Sequence, residues 1–163
     1  MTLNENLRFE DVESAVKRAF LRTPERVLLS APTGLYKWTD RPLVNANRIS
    51  PWWSFVESRR LPSGTMAEGF RASEERAARL KRPHREFARA RAAVSGQFGN
   101  SMTNLLMIQL NEPAWGFVGQ ASGQREFADE ERDLQHVFLI GGAMQVWVPN
   151  LEPRHVTAVP VRG

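Results

Sequence analysis

A glutamine and a tryptophan that share one face of a short strand are the residues here whose types and spacing bear most directly on chemistry. They stand in the run Leu139-Ile140-Gly141-Gly142-Ala143-Met144-Gln145-Val146-Trp147-Val148-Pro149-Asn150. The glycine pair permits a sharp turn and a close backbone approach. Met144, Val146 and Val148 then alternate with Gln145 and Trp147, so the two sets point to opposite faces. Pro149-Asn150 stops the strand. If the outward face lines a cleft, Gln145 is a fixed hydrogen-bonding group beside an aromatic wall. If it does not, the run is a half-exposed strand with a surface glutamine, which the alternation alone favours.

Two cations invite a similar question. In Leu35-Tyr36-Lys37-Trp38-Thr39 the aromatic residues favour a strand. Its alternation puts Tyr36 and Trp38 on one face and Leu35 and Lys37 on the other. A strand lysine is ordinarily solvated, but beside a cleft it is a compact phosphate-binding charge. Arg48 precedes Ser50-Pro51-Trp52-Trp53 and is placed to lie over an indole. Of the two tryptophans, one is expected to plug the core and the other to face a groove, or else both anchor a packed loop.

Other chemistries are excluded. Among 163 residues there is no cysteine, hence no disulfide, thiolate nucleophile or cysteine-based zinc site. His84, His136 and His155 lack metal-ligand spacing. There is no G-x-S-x-G, no H-E-x-x-H and no Walker lysine, since Gly64-x-x-x-x-Gly69 continues into Phe70-Arg71. The net charge of +4 is compatible with a polyanionic partner. Arg71, Arg76, Arg79, Lys81, Arg82, Arg85, Arg89 and Arg91 raise nucleic-acid binding as an alternative, though Glu68, Glu74, Glu75 and Glu86 between them read as a solvated, internally paired face. The first residues are polar, with no signal-peptide core, and no apolar run approaches the ~20 residues of a membrane span.

The elements that must position these residues form one domain over 1–163, with a hydrophobic content of 42%. Leu7, Phe9, Val12, Val16 and Phe20 predict an amphipathic helix over 7–22, ahead of a core spanning about 26–161. Arg26 to Leu29 reads as a strand or linker. A helix capped by Ser63 or Thr65 is expected to run through Leu80, and a second to start at Pro83. Leu105 to Leu110 reads as a strand buried on both faces, and Ala114 to Gly119 as its return. Gln120 to Asp133 reads as a mobile polar loop. Leu134 to Ile140 and Met144 to Val148 read as strands, and His155 to Val161 as an edge strand with Arg154 and His155 on the surface.

The order of these elements, from Leu35-Tyr36-Lys37-Trp38 through the tryptophan-rich loop to the Gly-Gly-x-x-Gln strand, resembles the ADP-ribosyltransferase fold of bacterial toxins. Gly141-Gly142-Ala143-Met144-Gln145 is similar to the Gly-Gly-x-x-Gln of NAD glycohydrolase toxins. The resemblance spans roughly residues 34 to 150 and rests on two short motifs. It implies an α+β fold with split β-sheets and flanking helices, and NAD as the substrate. It implies a bacterial toxin or effector that breaks the nicotinamide–ribose bond and passes ADP-ribose to a macromolecule, protein or nucleic acid, or to water. A place in the cytoplasm of the producing or the target cell, delivery by a secretion system in the latter case, and a cognate immunity protein are implied by the same resemblance. Gln145 and Tyr36 are its expected catalytic residues. Lys37, Arg48, Trp52, Trp53 and Ser101 are its expected NAD-binding residues.

The departures are specific. Lys37 stands where the family has arginine, so it would hold a phosphate as a point charge and not bidentately, with Arg48 supplying a guanidinium. Gln145 replaces the usual glutamate and no Glu-x-Glu pair exists, which weighs against transfer to arginine. Ser101 and Thr103 are loose counterparts of a central Ser-Thr-Ser. Nicotinamide is already a cationic leaving group, so the protein need only orient the ribose and stabilise an oxocarbenium ion. On this reading Tyr36, Lys37, Arg48, one of Trp52 and Trp53, and Gln145 converge on one concavity. If Lys37 and Gln145 lay on opposite sides of the molecule, the NAD reading would fail even with the fold right.

Overall fold

The computed structural model describes residues 1–39, 49–81, 84, 104–122, 124–125, 138–139 and 144–160. Its centre is a seven-stranded sheet in the order β1-β7-β10-β3-β2-β6-β11. The strands are β1 (Glu25–Leu29), β2 (Gly34–Thr39), β3 (Trp52–Phe55), β6 (Asn104–Leu110), β7 (Ala114–Gln120), β10 (Met144–Trp147) and β11 (Val156–Val159), and every pairing is antiparallel. Two antiparallel pairs, β4 (Arg59–Arg60) with β5 (Met66–Ala67) and β8 (Gln124–Arg125) with β9 (Phe138–Leu139), are the other strands among the described residues. The α-helices among the described residues are α1 (Ser14–Ala19) and α2 (Phe70–Arg79). The architecture is therefore α+β, mostly antiparallel, with few helices.

Alternation dictates what the sheet buries. Val27, Leu29, Leu35, Trp53, Phe55, Ile108, Leu110, Ala114, Val118, Val146 and Val156 form one cluster to which all seven strands contribute. Loop residues Ile49, Leu61 and Leu151 join it. Among the described residues no helix contributes to this cluster, to which Ala67 of the β4–β5 pair and Val148 after β10 are added. A fully buried Val, Leu or Phe here is worth roughly 1.5–3 kcal/mol of transfer free energy.

The sheet is two halves that share β3. Trp52 and Trp53 pair with Trp147 and Val146 of β10, whereas Ser54 and Phe55 pair with Tyr36 and Leu35 of β2. One half is thus β1-β7-β10-β3 and the other β3-β2-β6-β11, handed over within four residues. A strand that serves two sheets in this way marks a corner.

Several sequence expectations are corrected. The helix over 7–22 is a 3₁₀ turn at Phe9–Asp11 followed by α1, only six residues long. Val12 is extended between them and Phe20 bridges to Ala121, because the segment bends to grip the sheet. Ser63 does not cap a helix. It sits in the β4–β5 turn, where the Glu25 carboxylate accepts its backbone N–H at 2.8 Å and its hydroxyl at 2.6 Å, and α2 starts after Gly69. β6 is fully buried on one face only, at Ile108 and Leu110, while Gln109 is exposed. Gln124 and Arg125 form a strand within the stretch read as a polar loop. His155 is 6% exposed, with its Nδ1 accepting from the Glu152 backbone N–H at 2.9 Å, and is not a surface residue. The second helix expected from Pro83 lies outside the described residues apart from His84.

Candidate functional site

The outer face of the sheet carries most of the candidate residues. Trp52, Ser54, Tyr36, Trp38, Phe117, Gln145 and Trp147 share it, as the register requires: Trp52 opposes Trp147, Trp147 opposes Phe117, and Ser54 opposes Tyr36. The β10–β3 ladder ends at Val146–Trp53, and at the next residue, Ser54, β3 passes to β2. Gln145, paired with Gly119 of β7, and Ser54, paired with Tyr36 of β2, thus lie on the same face to either side of the seam, from strands far apart in the chain.

Two covers flank these residues. Residues 7–20 lie over β7, β10 and the start of β3. Val12 and Phe20 are buried against Phe117 and Trp147, with Leu7, Phe9, Val16 and Trp52 packed around them. The Phe20 ring is 5.5 Å from Trp52 and 5.8 Å from Phe9, and Phe9 is 5.4 Å from Phe117. On the other side the Phe70 ring of α2 stands edge-on to Tyr36 at 4.9 Å and to His84 at 4.8 Å. Trp52, Ser54 and Gln145, between the covers, are half-buried.

Gln145 is neither a surface residue nor an open cleft residue. Its Nε2 donates to the Ala19 carbonyl at 2.8 Å. That carbonyl belongs to the last turn of α1, whose terminal C=O groups have no partner within the helix. Ser122 completes the cap, with its N–H on Ala19 O at 2.9 Å and its hydroxyl on Arg18 O at 2.7 Å.

Lys37 goes to the other face. Its Nζ donates to Ser50 Oγ at 2.8 Å and stands 5.5 Å from the centre of the Trp53 ring. Trp53 is 2% exposed, its Nε1 donating to Ser50 O at 2.6 Å. The expected convergence on one concavity is therefore corrected: Tyr36, Trp52 and Gln145 share the outer face, while Lys37 and Trp53 belong to the inner one. Adjacent strand residues point to opposite faces, so Tyr36 and Lys37 cannot enter the same shallow cleft from a regular strand. Tyr36 is 4% exposed and offers no free ring face for stacking. Arg48 and Ser101 lie outside the described residues. Trp53 plugs the core as expected, whereas Trp52, expected to face a groove, is half-buried with its ring 5.5 Å from Phe20 and 6.2 Å from Trp147.

The residues that sequence reasoning missed are Ser54, Ser50, Ser73 and His84. Only the register reveals Ser54, and Ser50 carried no signal beyond its place before Pro51. His84 joins two elements: Trp38 Nε1 donates to His84 Nδ1 at 3.3 Å, and His84 Nε2 lies 2.9 Å from Ser73 Oγ. An indole N–H can only donate. Nδ1 is therefore unprotonated, and Nε2 carries the proton toward Ser73. With no lone pair facing the hydroxyl, His84 cannot act as a base on Ser73, and the pair is a clamp and not a nucleophile. Burial holds the imidazole below its usual 6.5, opposed by the charges of Glu74 and Glu68.

Elsewhere, a concavity of ≈ 440 Å³ lined by Glu5, Asn6, Leu7, Arg8 and Arg26 contains none of the expected site residues. The basic residues of α2 are interrupted by Glu74 and Glu75, and Arg76 pairs with Glu68 at 2.7 Å. Among the described residues no group of three or more His, Asp or Glu could hold a metal ion, and no helix is long and apolar enough to cross a membrane. No family model, no curated protein and no solved structure matches this chain.

Proposed function

We propose that this chain is an NAD-consuming domain of the ADP-ribosyltransferase kind, acting as a toxin or effector, with its reaction centre on the outer face at the seam between the two half-sheets. The observation that carries the proposal is that Gln145, Ser54 and Tyr36 share the outer face with Trp52, around the point where β3 passes from β10 to β2. An amide and a hydroxyl beside an indole suit a ribose and the flat ring attached to it. Two half-sheets sharing one strand further support the split-sheet expectation.

The reaction follows from what such a surface supplies. The C1′–N bond breaks with its electron pair leaving on nicotinamide, which departs neutral, and the ribose becomes an oxocarbenium ion. Gln145 orients the ribose hydroxyls, with Ser54 beside it. Water or an acceptor group then adds to C1′ and releases its proton to solvent. No strong acid is required, in keeping with the absence of a carboxylate among these residues. Lys37 and Trp53 have no part in this centre, and Tyr36 serves as its buried floor.

The test is incubation of the protein with NAD, with and without cell extract, following free nicotinamide and labelled ADP-ribose. Release without extract identifies a hydrolase, and label on a macromolecule identifies a transferase. No release under either condition, together with no NAD-dependent rise in melting temperature, refutes the proposal.

A further inference from the structure

Residues 7–20 occupy the space above Gln145 that a ribose would need. The cover is thin for the position it holds. α1 has six residues and none of them is buried. A helix this short has no stability of its own. Its N-cap, Glu13, makes no side-chain cap bond. What holds the segment is Val12 and Phe20, the partly buried Leu7, Phe9 and Val16, and the hydrogen bonds of Gln145 and Ser122 to the last carbonyls. The sheet beneath is shaped to accept it: a Cβ on Gly119 would meet Phe20 Cδ1 and Pro24 Cβ, both at 3.1 Å. The chain before it is anchored separately, because Asn4 Nδ2 donates to Trp115 O at 3.1 Å and Pro149 O at 2.8 Å. The cover is thus a strap fixed at both ends, and it can lift without releasing the terminus.

We infer that residues 7–20 are an autoinhibitory latch, with Gln145 as its catch. In the closed state the Gln145 N–H that would reach a ribose hydroxyl is held by Ala19 O. Opening frees that N–H, uncovers Trp52 beside it and clears the face of the seam. The residue that engages substrate is also the residue that closes the latch, so substrate and strap compete for it. This inference rests on the NAD reading of the seam.

Two substitutions on the strap, remote from the seam residues, move the latch in opposite directions. Phe9→Ala removes a ring that wedges Phe20 against Phe117, so the open state becomes more populated. Glu13→Ser supplies the missing N-cap oxygen and favours the closed state. Nicotinamide release should rise about tenfold in Phe9→Ala and fall about fivefold in Glu13→Ser, since turnover follows the open fraction. Hydrogen exchange over residues 14–20 should rank the proteins in the same order. Equal release from wild type and both variants, with exchange still ranked, overturns the latch and leaves the NAD reading standing. No release from any of them, with exchange showing Phe9→Ala opened, overturns the NAD reading and the latch with it. If Phe9→Ala does not fold, Glu13→Ser against wild type decides alone.

Discussion

Replacing Gln145 by alanine separates the structural duty of this side chain from the chemical one, because the two differ in size. The structural duty is one hydrogen bond of 2.8 Å to the Ala19 carbonyl. Its loss does not orphan that carbonyl, which still accepts the Ser122 N–H at 2.9 Å. The expected cost is therefore the net value of one hydrogen bond, about 1 kcal/mol, and not the larger penalty of an unsatisfied buried group. For a domain of this length that lowers the melting temperature by roughly 2–4 °C. The chemical duty is a hydrogen bond that strengthens as charge develops on the ribose. Its loss is worth on the order of 2–4 kcal/mol, a fall in turnover of about a hundredfold or more. Gln145→Ala should thus show nearly intact stability by calorimetry and strongly reduced nicotinamide release. Gln145→Glu sharpens the contrast. It replaces the donor with a carboxylate that faces the Ala19 carbonyl oxygen, so it should expel the strap, while placing negative charge beside the developing cation. Activity retained or raised, with faster exchange over 14–20, is expected. Unchanged nicotinamide release in Gln145→Ala would refute the catalytic assignment. A fall of activity together with a collapse of melting temperature would show the residue to be structural.

The other expectations concern particular side chains. Lys37→Met should leave nicotinamide release within about threefold of wild type, because its ammonium lies on the inner face with Ser50 and Trp53; a loss comparable to that in Gln145→Ala would place it in the centre after all. His84 is held neutral by burial, so the unfolded chain binds its proton more readily. Its contribution to stability is full above the ordinary value of 6.5 and declines as the pH falls from there through its lower folded value. Melting temperatures of wild type and His84→Phe should therefore differ by an amount that changes with pH below 6.5, and a constant difference would remove the clamp from the account. Gly69→Ala should cost about 3 kcal/mol in urea unfolding, since its Cβ would sit 2.6 Å from Val56 O against backbone that cannot move aside. Gly64→Ala, which meets no atom within 4 Å and strains only a positive φ, should cost less than half of that.

How much could be read from the sequence depended on the range of the interaction concerned. The strands β2, β6, β7 and β10 were legible because their alternation or apolar runs are local, and so was the parity that turns Gln145 away from Val146 and Val148. The division of labour between Trp52 and Trp53 followed from the same period of two. The helices were less legible. The apolar spacing of residues 7–20 fits a helix, yet Val12 and Phe20 serve the sheet better in extended backbone, and packing on Phe117 and Trp147 overrides the local preference. Ser63 has the chemistry of a cap, but Glu25, from a strand 38 residues earlier, claims both of its hydrogen bonds. The composition of the site was decided by register alone. The sequence names Tyr36, Lys37 and Gln145 with equal emphasis and passes over Ser54, whereas strand pairing sets Ser54 beside Tyr36, puts Gln145 on the same face, and sends Lys37 through to the other side. The sequence by itself determined which residues alternate and hence which can share a face. Which faces meet, and that the N-terminal segment lies across one of them, was left to the tertiary structure, because those contacts join residues more than a hundred positions apart and leave no local pattern.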